Sequence, residues 1–127
     1  MDPVDRKKFS MGDRLLSFSH AFRGIFYVIR SQHNFRIHLF FAVLVVLAGF
    51  LFSISVSEWL ILMLTIALVL SLEMINSAIE CLVDLVTKEY HPIAGKVKDI
   101  AAGAVLVAAI ISIIIGLIIF IPKIMSL

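Results

Sequence analysis

The chain has 127 residues, of which 61% are hydrophobic and 16% are charged, and its formal net charge is +2. A soluble domain of this size needs a larger polar share to cover its surface, and the length allows one domain at most. The composition therefore excludes an ordinary soluble protein and predicts one membrane-embedded domain over residues 1–127.

The N-terminal part of the chain combines a charged start with an amphipathic stretch. We expect residues 1–10 to be disordered and residues 14–30 to form a helix, because apolar residues recur there at three- to four-residue steps. The apolar stripe consists of Leu15, Phe18, Phe22, Ile25 with Phe26, and Ile29. Such a helix either lies in the membrane interface or packs on the protein's own spans, and the pattern leaves both placements open.

Three apolar stretches follow. Residues 37–57 and 100–121 carry no Asp, Glu, Lys or Arg, and each run reaches the roughly 18 to 20 residues that a helix needs to cross a bilayer. A shorter uncharged run at 59–72 continues as a helical pattern to residue 86. The predicted spans are about 36–54, 58–86 and 99–121. Two spans with one buried helix are the alternative. The first run starts too late in the chain for a signal peptide.

Basic residues are distributed unevenly around these spans. Ten of the eleven Lys and Arg residues either precede the first span or lie between the second and third, namely Arg6, Lys7, Lys8, Arg14, Arg23, Arg30, Arg36, Lys88, Lys96 and Lys98. With three spans these two segments share one side of the membrane, and the opposite side holds only Lys123. The positive-inside rule therefore predicts a cytoplasmic N-terminus and a cytoplasmic second connection.

The third predicted span carries small residues on one face. Ala104, Ala108, Ser112 and Gly116 follow one another at four-residue steps, and small residues let helix backbones approach closely inside lipid. Three spans enclose little interior, so we expect this face to pack and the protein to associate with further copies of itself.

The polar residues of the second span form a stripe. Glu73, Asn76, Glu80 and Asp84 are separated by three, four and four residues, which places them on one helix face. Ionisable groups at membrane depth are expensive and mark functional sites, and three acids on one face repel one another unless cations lie between them. The stripe indicates a divalent-ion or substrate site, and a structural polar seam is the alternative.

The segment after this stripe adds a histidine and lysines. His91, Lys96, Lys98 and Asp99 lie near Pro92 and Gly95, which we expect to break the helix so that the third span begins near Lys98. Carboxylates for a hard cation beside lysines for phosphate oxygens suit phosphoryl transfer. The lysines also fit a solvated loop, and the sequence has no GxxxxGK[ST], GxGxxG, HRD or DFG arrangement. The residues alone therefore indicate a membrane-embedded metal and anion site without identifying a kinase.

A family resemblance extends this interpretation. EMINSAIE, then Asp84, then EYHPIAGKVKDIAAGAV closely resemble the bacterial diacylglycerol kinase family of integral membrane lipid kinases. FRIH at residues 35–38 and the closing GLIIFIPK resemble its Gram-positive branch, whose members mainly phosphorylate undecaprenol. The resemblance covers about residues 18–123. It implies an all-α homotrimer of three-span subunits in the bacterial cell membrane, with an amphipathic surface helix and active sites shared between neighbouring subunits.

The resemblance also assigns roles to individual residues. Glu73 matches the family's catalytic base, which accepts the proton of the lipid hydroxyl, and Glu80 matches a metal-binding glutamate. The nucleotide-contacting positions correspond to Asn76, Asp84, Glu89, His91, Lys98 and Asp99. The family's second metal-binding glutamate corresponds to Gln32, whose amide oxygen offers Mg²⁺ less charge and implies weaker metal binding.

These features predict a kinase that uses Mg²⁺ and ATP to phosphorylate a lipid alcohol taken from the bilayer, with undecaprenol as the expected substrate and no nucleic-acid partner. Diacylglycerol is the alternative substrate. A small ion-coupled carrier is the alternative from another class, because carriers also use intramembrane acids. A carrier needs polar groups near the midplane, however, whereas here they crowd one end of the spans. A non-enzymatic regulatory subunit, which would not need four aligned polar groups, is a further alternative.

Overall fold

The computed structural model, which describes residues 8–127, is all-helical, as the sequence predicted. Its helices are α1 (Met11–Ser31), α2 (His33–Leu51), α3 (Val56–Val86) and α4 (Pro92–Met125). Of the ten N-terminal residues predicted to be disordered, the first seven lie outside the described residues.

The three long helices correspond to the three predicted spans. By length and composition α2, α3 and α4 are each apolar enough to cross a membrane. They run alternately up and down, so α2 begins, α3 ends and α4 begins at one end of the bundle, here named the polar end. The most extensive packing joins α3 to α4, and α2 packs on α3.

The beginning of α4 differs from the prediction. Pro92 is the first residue of the helix, and the His91 side chain caps it by accepting a hydrogen bond at Nδ1 from the Ile93 N–H at 3.1 Å. Proline suits this position because its missing N–H would have no helical partner there. Gly95 lies inside the helix and donates its N–H to the His91 carbonyl. The prediction that Pro92 and Gly95 break the helix is therefore wrong.

Close contacts hold the opposite end of the bundle together. A Cβ added at Gly49 would lie 2.6 Å from the nearest Trp59 ring atom, so only glycine allows the two helices to approach this closely. Ser55 and Glu58 form a capping box at the start of α3. Glu58 also forms an ion pair with Lys123 of α4, in which Oε1 and Nζ are 3.1 Å apart.

Helix α1 forms where the amphipathic pattern predicted a helix. The Ser10 side chain caps it by accepting a hydrogen bond from the Asp13 N–H, and Val28 near its other end is buried. Leu15, Phe18 and Phe22 are exposed on the single chain. Placement of this apolar stripe in the membrane interface or on the protein's own spans stays a prediction.

The small-residue face of α4 is used partly within the chain. Ala108 is buried, whereas Ala104 is exposed. Ser112 and Gly116 line an apolar cavity together with residues of α2 and α3. Part of the small-residue face of α4 therefore faces α2 and α3 of the same chain.

Candidate functional site

The polar stripe of α3 runs from the interior of the bundle to its surface. Glu73 and Asn76 are buried, at 3% and 8% exposure, Glu80 is half-buried and Asp84 is exposed. Glu73 and Asp84 are eleven positions apart, which corresponds to roughly 16 Å along the helix. One helix thus connects a buried carboxylate with an exposed one at the polar end.

The buried part of the stripe lines a cavity, here named the inner pocket. Glu73 and Asn76 face Asn34 and His38 of α2 across it, and the α4 side of the cavity is lined by Ala102, Val105, Leu106 and Ala109. The pocket therefore places one carboxylate between polar side chains of α2 and α3 and an apolar wall of α4, where a hydroxyl group brought by an apolar molecule would find a proton acceptor.

His38 is a site residue that the sequence interpretation missed. Its Nε2 lies 3.2 Å from Glu73 Oε1, which joins α2 to α3 inside the bundle. The available signal was the presence of an imidazole in a run without Asp, Glu, Lys or Arg. Lacking a fixed charge, His38 did not stand out in the charge pattern.

Asn76 connects the inner pocket with Glu80. Its Nδ2 donates to Glu80 Oε1 at 3.4 Å, a long hydrogen bond. Its Oδ1 is buried and has no hydrogen-bond partner among residues 8–127. A buried carbonyl oxygen without a partner costs free energy, so this oxygen is suited to accept a bond from, or coordinate, a group that enters the site.

The exposed part of the stripe faces an open cleft at the polar end, here named the outer cleft. It is lined by Asp84, Glu89, His91 and Lys98 together with Lys88. Lys98 Nζ donates to Asp84 Oδ1 at 2.6 Å. Four of the six positions that resemble nucleotide contacts therefore lie around one cleft, and an ammonium group is available there for an anion.

Three predicted site residues line neither of these cavities. Glu80 lies between them along α3 and is joined to the inner pocket through its hydrogen bond with Asn76. Gln32 ends α1, where its backbone N–H donates to the Val28 carbonyl at 2.9 Å, and it lines neither the inner pocket nor the outer cleft. Asp99 is exposed on α4 and also lines neither. Within residues 8–127 no three His, Cys, Asp or Glu side chains are grouped so that they could hold a metal ion.

Comparison with known proteins agrees with the resemblance in the sequence. Residues 19–120 match the family described as prokaryotic diacylglycerol kinase. The chain is 51% identical over 107 residues to the undecaprenol kinase of Bacillus subtilis, covering 84% of this chain and 87% of that protein. It is 44% identical over 114 residues to a diacylglycerol kinase of Synechocystis, covering 89% of this chain and 65% of that protein. A diacylglycerol kinase of Escherichia coli matches over 54 residues at 43% identity, covering 42% of this chain and 44% of that protein.

The match to the family covers most of the chain, and it favours the enzyme over the carrier and the regulatory subunit. The chain therefore belongs to the prokaryotic diacylglycerol kinase family of lipid kinases.

Proposed function

We propose that this protein transfers the γ-phosphoryl group of ATP to the hydroxyl of a membrane lipid alcohol, with undecaprenol as the preferred substrate. The observation that carries the proposal is the polar stripe of α3, which leads from a buried carboxylate in the inner pocket to the outer cleft. The 51% identity to an undecaprenol kinase supports the choice of substrate.

The proposed setting is the bacterial cell membrane, with the N-terminus and the polar end in the cytoplasm. The distribution of Lys and Arg supports this orientation. It brings the outer cleft to the side on which ATP is available. The lipid alcohol would reach the inner pocket from the bilayer, so the two substrates approach the stripe from opposite directions.

In the proposed reaction Glu73 is the general base. The lipid O–H bond breaks as its proton passes to the Glu73 carboxylate, and the oxygen attacks the γ-phosphorus while the bond from that phosphorus to the β-bridging oxygen breaks. Lys98, with Asn76, Asp84, Glu89, His91 and Asp99 as further nucleotide-binding residues, would hold the ATP. Positioning and neutralisation of charge supply most of the acceleration in such reactions.

We further propose that Mg²⁺ accompanies ATP and is held by Glu80 and Gln32. The residues present fit this ion in their chemistry, since carboxylate and amide oxygens are its ligands and it usually needs only one or two carboxylates besides water and phosphates. The unpartnered Oδ1 of Asn76, one turn from Glu80, adds an oxygen of the same kind. Bound there, the ion would neutralise charge on the phosphate oxygens.

The proposed assembly is a homotrimer with active sites shared between neighbouring subunits. Many large apolar side chains are exposed on the single chain, and so is Ala104 of the small-residue face. Such a surface can be covered by lipid and by further subunits. Sedimentation in mild detergent should give a trimer, and a fully active monomer would contradict this part of the proposal.

A second candidate substrate is diacylglycerol, which the 44% identity to a diacylglycerol kinase favours. The reaction, the base and the nucleotide cleft would be the same. The two candidates differ only in the lipid that delivers its hydroxyl to the inner pocket.

The experiment that tests the proposal is labelling with ATP carrying a radioactive γ-phosphate. The purified protein in detergent, with Mg²⁺ and undecaprenol, should form labelled undecaprenyl phosphate, and Glu73→Gln should form far less. If neither undecaprenol nor diacylglycerol is labelled, the protein is not the lipid kinase proposed here.

A further inference from the structure

The contact between His38 and Glu73 is the basis of the inference. The two residues lie on different helices, and His38 Nε2 is 3.2 Å from Glu73 Oε1. Glu73 is almost fully buried, whereas the His38 side chain is about a quarter exposed. Among residues 8–127, His38 is the side chain within hydrogen-bond distance of this carboxylate. The neighbouring Ser77 hydroxyl donates to the main-chain carbonyl of Glu73 instead.

We propose that His38 is a positioning residue for Glu73, with its Nε2–H donating to Oε1 and leaving Oε2 to accept the proton of the lipid hydroxyl. The inference rests on the proposed function of Glu73 as the base. A glutamate side chain has several rotatable bonds, and a base must lie within hydrogen-bond reach of the proton that it removes. A donor on a second helix fixes one oxygen and thereby orients the other.

The location of His38 in the bundle supports this role. His38 lines the inner pocket, and it also lines the apolar cavity that extends between the helices to Ser112 and Gly116. The imidazole therefore stands where the polar pocket meets apolar walls. A small replacement would open one cavity into the other, so the informative variants are those that keep the volume or the donor.

Three substitutions separate positioning from packing. In His38→Gln the amide nitrogen reaches about as far as Nε2 and can still donate to Glu73. In His38→Leu the volume is largely kept but the donor is lost, and in His38→Asn a donor remains on a side chain too short to reach. His20→Leu is the matched control, because His20 is exposed on α1 and lies outside both cavities of the site.

The measurement is kcat and the KM for ATP of each purified variant with undecaprenol as substrate, after size-exclusion chromatography has confirmed assembly. We expect kcat of His38→Leu and His38→Asn to fall roughly 10- to 100-fold, since a misplaced reacting group costs about that much, with little change in the KM for ATP. His38→Gln should keep most of the activity, and His20→Leu should resemble the unaltered protein. Folded Leu or Asn variants with normal kcat would overturn the inference, as would a Gln variant as slow as Leu.

A double variant shows whether His38 acts through Glu73. If it does, His38→Leu should lower the residual activity of Glu73→Gln no further, because residues that act as a unit are strongly non-additive. If the losses of kcat in the two single variants add fully in the double variant, His38 acts independently of Glu73 and the inference is wrong. A failure of this inference can be told from a failure of the proposed function. If only this inference fails, the unaltered protein still phosphorylates lipid and Glu73→Gln is slow, whereas the His38 variants are not. If the proposed function fails, the unaltered protein phosphorylates no lipid.

Discussion

Lys98 Nζ lies 2.6 Å from Asp84 Oδ1, and this ion pair joins the last turns of α3 to the first turns of α4 at the outer cleft. Both side chains are substantially exposed, and exposed ion pairs contribute little to stability. We therefore infer that the ion pair positions the Lys98 ammonium group in the outer cleft and contributes little to the stability of the fold.

Replacing Lys98 should weaken ATP binding. Lys98→Gln removes a charged donor from the outer cleft, and hydrogen bonds to charged groups contribute about 1.5–3 kcal/mol, so the KM for ATP should rise roughly 10- to 100-fold. Lys123→Gln is the matched control in the same helix, because Lys123 pairs with Glu58 at the other end of the bundle. Steady-state kinetics with varied ATP give the answer, and equal KM values for the two variants would remove Lys98 from the nucleotide site.

Replacing Glu73 should slow the chemical step. Glu73→Gln keeps the size of the side chain but cannot take a proton, so kcat should fall by a factor of about 10² to 10⁴, as is typical for general acid–base groups. ATP affinity should change little, because Glu73 lies in the inner pocket and not in the outer cleft. The measurements are kcat and direct ATP binding, and a near-normal kcat would show that Glu73 is not the base.

Replacing Glu80 should have a different effect from replacing Glu73. Glu80→Gln removes a charged oxygen ligand, so binding of Mg-ATP should weaken and added Mg²⁺ should restore part of the activity. Glu58→Gln is the matched control, because Glu58 lies on the same helix far from both cavities of the site. Magnesium titrations of all three variants test this, and equal rescue of Glu73→Gln would show that the two roles are assigned wrongly.

A carboxylate at position 32 should strengthen metal binding. Gln32→Glu adds a charged oxygen where the family resemblance indicates a metal ligand, so half-maximal activity should need less Mg²⁺. Ser31→Glu is the control, because it adds the same charge one residue earlier at an exposed position. An unchanged or higher Mg²⁺ requirement in Gln32→Glu would exclude Gln32 as a ligand, and an equal decrease in both variants would indicate a general effect of charge.

The close approach of α2 and α3 at Gly49 should make that position intolerant of a methyl group. A Cβ there would lie 2.6 and 2.8 Å from two ring atoms of Trp59, and such overpacking costs about 1–3 kcal/mol. Gly49→Ala should therefore lower the temperature of unfolding in detergent. Gly103→Ala should not lower it, because no atom of residues 8–127 outside its own stretch of helix lies within 4 Å of its added Cβ. Equal unfolding temperatures for the two variants would contradict the tight contact.

The helices and the polar stripe could be predicted from the sequence because both depend on local periodicity. The uncharged runs correspond to α2, α3 and α4, and the three- and four-residue spacing from Glu73 to Asp84 correctly placed these side chains along one helix. The start of α4 was missed because Pro92 was interpreted as a helix breaker. At the first position of a helix, proline is favoured instead.

Contacts between helices could not be predicted from spacing along the chain. His38 and Glu73 are 35 positions apart, and Glu58 and Lys123 are 65 apart, so only the packing of the helices brings each pair together. The positive-inside rule counted Lys123 as the one basic residue on its side, but charge counting contains no information about its partner.

We propose that the protein phosphorylates undecaprenol in preference to diacylglycerol. The most direct test compares kcat/KM for undecaprenol and for diacylglycerol in the same detergent micelles, at the same molar fraction of lipid and with saturating Mg-ATP. We predict the higher kcat/KM for undecaprenol. A higher kcat/KM for diacylglycerol would contradict the claim.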